Sequence, residues 1–249
     1  MTLRAVAFGD RQAGFWGTAL SAHPELPPFV IVGGEPAAVV SAEIVAESSG
    51  DGDWRIAGEG LELTIAGEGA RPNDASADFD QLVVVRGRLQ GDQAREVDCR
   101  GCRSERAHAV DPGRFALIRD ACAWFAPGDG FALVAVRPRR ASGHGDEHVS
   151  ATVFSAGHAL PVAEPRLSTA YTEEGHPTRA TLELWLEGDD EPAEPGQEQA
   201  VQYPRRAAGE AAGPAVTHKF DKLAVGVQPF RWRAESREGA GVYLLARAR

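Results

Sequence analysis

The chain has 249 residues, enough for one large β domain or two smaller ones. Hydrophobic residues make up 43% and charged residues 25%, the balance of a globular protein rather than a disordered or fibrous one. A formal net charge of −10 repels phosphate backbones, which excludes nucleic acid as an expected partner.

The N-terminal segment Met1–Asp10 carries Arg4 early and lacks the apolar core of a secretory leader. The longest apolar runs, such as Phe131–Val136, are far too short for a transmembrane segment. Three cysteines, Cys99, Cys102 and Cys122, are an odd number without an export signal, which predicts reduced thiols and a cytoplasmic protein. The 28 glycines and 16 prolines fall between short apolar runs, as turns do in a β fold.

In chain order, Phe8–Trp16 brings two Phe and a Trp beside the pair Asp10 and Arg11. That composition suits a small-ligand pocket, and equally an aromatic core. Phe29–Val32 is continuously apolar and reads as a strand buried on both faces. Ser41–Ser48 is either a short helix or a strand. Trp54–Ile56 and Leu61–Ile65 alternate with period two and form a hairpin turning near Glu59-Gly60. Ala70–Asp78 reads as a loop. Gln81–Leu89 is a strand, and a break near residues 90–98 or 140–150 would separate two units.

Further on, Arg114–Phe125 spaces Phe115, Ile118 and Cys122 as a helix would, with a strand or loop as the other reading. Phe131–Arg137 is a strand. Arg166–Thr172 and Thr178–Leu186 form a second hairpin around Glu174-Gly175-His176-Pro177, and Gly241–Arg247 closes the chain as a strand. Gly188–Gln199, acidic and with two prolines, and Ala207–Ala215, rich in Ala and Gly, read as loops. The expected class is therefore all-β and antiparallel, a barrel or sandwich.

Several groups of residues carry a resemblance. They are the charged strand Glu96–His108, the pair Trp124-Phe125 followed by Phe131–Arg137, the hairpin holding Leu182-Glu183-Leu184-Trp185, and the ending Phe230-Arg231-Trp232 with Gly239–Tyr243. Together they resemble the lipocalin-like family of the carotenoid hydratases (hydroxyneurosporene synthases) over residues 95–249. Ala107-His108-Ala109-Val110 keeps the His of that family's signature and lacks its Trp-Gly. The resemblance implies two consecutive lipocalin-like β units, set here at residues 1–93 and 94–249. It also implies a hydratase, isomerase, cyclase or lyase acting on an isoprenoid, terpenoid or polyketide chain.

The chemistry for such a reaction needs an acid kept neutral by burial and an aromatic face for a cation. Glu183 beside Trp185 offers both types, with Leu182, Leu184 and Leu186 on the opposite face; the same alternation also describes a solvated outer face. Asp120 and Trp124, four apart, would share a helix face. His218 and Asp221 could form a base with its orienting carboxylate, or a loop ion pair. The expected catalytic set is thus Glu183, Asp120, Asp221 and His218. The substrate-binding set is Trp16, Trp124, Phe125, Tyr171, Trp185, Trp232 and His108. No cofactor is expected, and the partner is a hydrophobic small molecule.

Two rival readings remain open. One is a lipid or pigment carrier without turnover. The other is a metal-dependent β-barrel enzyme using His144, Glu147 and His148, whose spacing lacks the helix that would align it; a polar loop or strand end is the plainer reading. Cys99 and Cys102 form a single CxxC pair, a weak zinc signal with only His108 and Cys122 as near partners. No phosphate loop or nucleophile elbow occurs.

Overall fold

The computed structural model describes residues 3–10, 12, 14–21, 28–33, 38–46, 52–69, 78–90, 94–106, 113–186 and 203–249. Eight antiparallel strands come first: β1 (Leu3–Asp10), β2 (Phe15–Ser21), β3 (Phe29–Gly33), β4 (Ala38–Ala46), β5 (Trp54–Gly58), β6 (Leu61–Gly67), β7 (Phe79–Leu89) and β8 (Arg95–Arg106). Each pairs with the next, and β8 returns to β1, closing a barrel. Nine more follow: β9 (Phe115–Ala126), β10 (Asp129–Pro138), β11 (His148–Ser155), β12 (His158–Tyr171), β13 (Pro177–Leu186), β14 (Arg205–Ala211), β15 (Val216–Lys219), β16 (Leu223–Ala234) and β17 (Arg237–Ala248). Here β9 pairs with β17, and β16 pairs with β17 on one edge and with β14 and β15 on the other, which closes a second eight-stranded ring with β15 attached outside it.

The fold is therefore two consecutive lipocalin-like antiparallel barrels, and each closure removes an exposed sheet edge. β8 pairs with β7 from Arg95 to Glu105 and with β1 from Arg100 to Arg106, so the last strand of the first barrel ends at Arg106 and the first strand of the second begins at Phe115. The single helical element among the described residues is a 3-10 turn at His144–Asp146, and no helix is long and apolar enough to cross a membrane.

Local chemistry explains the elements. The β5–β6 hairpin closes with the two-residue loop Glu59-Gly60, where Gly60 takes φ 70°, a conformation that costs glycine nothing. Arg114–Phe125 forms a strand rather than a helix. On β9, Ala121 and Ala123 face the second barrel's core, while Cys122 and Trp124 face the first barrel. Burial on both faces hides the period-two signature. Of the segment Ser41–Ser48, the described residues 41–46 lie in a strand, β4. Ala207–Ala215, expected as a loop, supplies most of β14. Its small residues suit a strand that passes under an indole, since a Cβ on Gly209 would lie 2.7 Å from the Trp232 ring. Of the other two expected loops, only Asp78 lies within the described residues.

Three apolar clusters hold the molecule. One fills the first barrel, with Phe8, Trp54, Ile56, Leu63 and Val85. Another fills the second, with Phe131, Leu133, Leu182, Trp232 and Tyr243. The third joins the outer faces of the two barrels, with Trp16, Ile31, Leu82, Cys102, Cys122 and Val242 among its members. Fully buried Arg103 donates to Gln81 and to the Gly52 carbonyl and lies 4.9 Å over the Trp54 ring.

In the second barrel, buried Glu147 is held by Arg119, which is also buried, and by Arg137, whose Nε donates at 2.8 Å. Removing one partner of a buried ion pair strands the other. Arg119→Ala is therefore expected to lower the unfolding free energy by about 3–5 kcal/mol. The additional change Glu147→Gln should recover a large part of that loss, as read by denaturant titration.

Candidate functional site

Where the two barrels meet, a cavity of about 250 Å³ opens between them. The first barrel contributes the β1–β2 turn region with Asp10, Phe15 and Trp16, and the second contributes Trp124, Pro214, Pro229, Phe230, Ala240 and Gly241. Trp16 turns outward from its barrel because Phe15, its neighbour on β2, packs into the interior. The Trp16 ring lies flat over Gly33, where any Cβ would fall inside the indole. On the other side Trp124 points out of β9 by the same alternation. Gly213, Ala212 and Ala240 leave the space between these aromatics open because they have little or no side chain to fill it.

Asp10 is the one ionisable side chain among the described lining residues. It ends β1, and its Oδ1 accepts the Gln12 backbone N–H at 2.8 Å, which fixes the carboxylate at the turn. Aromatic walls with few polar groups are the usual make-up of a small-molecule site.

A second polar feature lies along the same seam. Asp120, on the same face of β9 as Trp124, opens into a crevice of about 10 Å³ lined by Ala5, Thr18, Cys102, Ser104, Cys122 and Leu244. That is room for a water molecule at most. Burial pushes the Asp120 carboxyl up to about 7, with nearby Asp80 adding to the rise and Arg106 opposing it. Asp80 itself accepts from Arg106 Nη2 at 2.6 Å and from Thr152 Oγ1 of the second barrel at 2.8 Å, a polar stitch across the seam. Burial raises the thiols of Cys102 and Cys122 as well, so both stay protonated and unreactive.

The structure sorts the sequence-derived candidates sharply. Trp16 and Trp124 meet at the cavity, together with Asp10. Asp120 and Trp124 do share a face, because four residues is an even step on a strand. Trp232 lies fully buried in the second barrel, behind the cavity wall, with its ring against Gly241. Phe125 faces the same core near Phe131. Glu183 and Trp185 occupy the outer face of β13. Glu183 pairs with Arg206 at 3.2 Å, and the Arg166 guanidinium stacks 4.6 Å over Trp185. The inward face there belongs to Leu182 and Leu184, so the solvated reading holds for this pair. His218 stands edge-on to Phe220, and Asp221 is exposed in the turn that follows. Tyr171 is 38% exposed at the end of β12. His108 and Arg11 lie outside the described residues.

The metal and thiol constellations resolve into structure. Both carboxylate oxygens of Glu147 are taken by arginines, and His148, which opens the following strand, is exposed. Cys99 and Cys102, three apart on one strand, face opposite sides. Cys99 packs in the first barrel's core and Cys102 at the seam, so the CxxC cannot chelate one ion. The cavity residues that sequence reasoning did not assign to a site include Pro214, Pro229, Phe230, Ala240 and Gly241. Their shared signal is spatial, since two units meet there.

The Asp120 assignment carries a pH dependence. An acid whose folded value, about 7, exceeds its unfolded value near 3.8 holds an extra proton when folded, so its contribution is greatest below pH 4 and is lost as pH rises to 7. Asp120→Asn is expected to stabilise the protein by about 2–4 kcal/mol at pH 8 and to change little at pH 4, measured by denaturant unfolding at both pH values.

No family model matches the chain, and no curated protein matches it in sequence. Solved structures match it in fold. CghA with Sch210972 superimposes with a TM-score of 0.64 at 10% identity, over 99% of this chain and 88% of that one. CghA in a second structure gives 0.61 at 10% identity over the same shares. A provisionally assigned AttH from Nitrosomonas europaea gives 0.55 at 12% identity, over 98% of this chain and 92% of its own. At these identities the likeness is one of architecture: it spans both barrels, and it leaves the finer resemblance to carotenoid hydratases without support from sequence.

Proposed function

We propose that the protein is an enzyme that takes an apolar isoprenoid- or polyketide-like molecule into the cavity between its barrels and converts it by acid–base steps: hydration, isomerisation or cyclisation. The observation that carries this reading is the cavity itself, with two indole walls and one carboxylate. Its volume lies just below the roughly 300–1,000 Å³ of drug-sized sites, so it suits one folded segment of a chain. Holding a flexible chain folded supplies rate by orientation alone. Trp16 and Trp124 would offer π faces to positive charge that develops in the reaction.

The proton-transfer role goes to Asp10, which lines the space, rather than to Asp120. Four residues of strand put Asp120 roughly 13 Å from Trp124, and its crevice has no room for substrate. CghA, the same architecture, is seen with Sch210972, which supports a small-molecule role for a two-barrel protein. A carrier without turnover is the second reading. The observation favouring it is that the acid most shifted by burial, Asp120, lies outside the cavity.

Native mass spectrometry of the purified protein, followed by solvent extraction of any bound compound, is the test. A co-purifying apolar molecule, with uptake reduced about tenfold by Trp124→Ala, is the expected result. On the isolated substrate, Asp10→Asn should lower turnover by about 10²-fold or more while leaving binding intact. Binding without turnover in the native protein would establish the carrier. A protein that is empty and takes up no terpenoid, carotenoid or polyketide probe would defeat both readings.

A further inference from the structure

One inward position of the second barrel departs from its neighbours. On β16 the even positions face the barrel core, and Phe230 and Trp232 fill it there. Gln228 stands on the same face, opposite Tyr243 of β17 and only 7% exposed. An apolar side chain would suit that place. The Gln228 amide instead has its Oε1 buried without a hydrogen-bond partner, which costs more than a typical hydrogen bond contributes. Its Nε2 donates to the Gly213 carbonyl at 2.9 Å.

That carbonyl belongs to the cavity. Residues 212–214 lie in the connection between β14 and β15, and they form one wall of the space between the barrels. Ala212 and Pro214 are exposed, so little apolar burial keeps this wall in place. Hydrogen bonds tie it to consecutive residues of β16. The Ala212 N–H donates to the Pro229 carbonyl at 2.9 Å, and Gln228 holds Gly213 from the side. Pro214 has no backbone N–H with which to add another. A segment anchored this sparsely opens locally when one anchor is lost.

We infer that Gln228 is a positioning residue for the inter-barrel cavity: it holds residues 212–214 as a fixed wall, at a cost to the core of the second barrel. It touches the wall and not the bound molecule. The inference rests on the reading of that cavity as a small-molecule site.

Gln228→Met tests it, because methionine has nearly the same shape and neither polar atom. Three measurements are compared with the native protein. The denaturant midpoint should be equal or higher, since the unpartnered acceptor is gone. Hydrogen exchange at the Ala212 amide should speed up about fivefold while the amides of β17 keep their rates. Affinity for geraniol, an isoprenoid alcohol, should fall about fivefold by calorimetry. A residue that only stabilises the fold would show the opposite pattern, a lower midpoint and faster exchange throughout, and that result overturns the inference, as does a variant that does not fold. Unchanged exchange at Ala212, or unchanged geraniol affinity, also overturns it. Ala240→Trp, which fills the cavity, should abolish geraniol uptake by the otherwise native protein. Uptake that survives Ala240→Trp, or a native protein that takes up none, defeats the reading of the cavity and the inference with it, whereas loss of the Gln228 effect alone defeats only the inference.

Discussion

The arrangement depends on one constraint. A closed barrel buries its inner face but offers its outer face to water, so two barrels in one chain can be held together only where both outer faces are apolar. On β17 the odd positions Tyr243 and Leu245 fill the second barrel, while the even positions Val242, Leu244 and Ala246 form the seam. β16 does the same with Trp232 inside and Val225 and Val227 outside. Strands of this kind have no solvent side, and they fix the orientation of one barrel against the other. The cavity lined by Trp16 and Trp124 lies on this seam, where glycine, alanine and proline prevent closure.

Polar groups placed in such a seam need partners, and two carboxylates find them across it. Asp80 takes Arg106 from its own barrel and Thr152 from the other, so one carboxylate is satisfied only when the barrels are docked. Glu68 extends the same principle, taking Arg100 at 3.3 Å and the Gly128 backbone N–H of the second barrel at 3.4 Å. Apolar contact supplies most of the adhesion, and these directional bonds fix its register. Asp120 sits differently, in a crevice whose low polarity favours its neutral form.

Much of the fold was legible because its signals are local. Leu61–Ile65 and Thr181–Leu186 alternate cleanly, and Gly60 and Gly175 mark the hairpin turns with φ of 70° and 83°. β9 was ambiguous for a physical reason: buried on both faces, it carries apolar residues at spacings that fit a helix as well as a strand. β14 misled because Ala and Gly there answer to Trp232, 23 residues away from Gly209, and not to a turn. In the site, residue types were readable and meetings were not. Trp16 and Trp124 are 108 positions apart, and only the docking of two barrels brings them to one space. The densest ligand-like cluster, around Glu147, misled in the opposite sense, since its carboxylate serves two arginines.

That difference bears on where chemistry can occur. A carboxyl shifted by burial is the usual mark of a catalytic acid, yet the shift needs only an apolar surrounding, which a structural seam supplies as readily as an active site. What distinguishes the two is space. Asp120 has the shift and a crevice of about 10 Å³, whereas Asp10 borders a cavity of about 250 Å³ with two indoles. A proton can be delivered only to an atom within hydrogen-bond reach, so volume beside the acid outranks the displacement of its pKa. On that criterion the proposed reaction draws on the carboxylate at the β1–β2 turn rather than the buried one on β9.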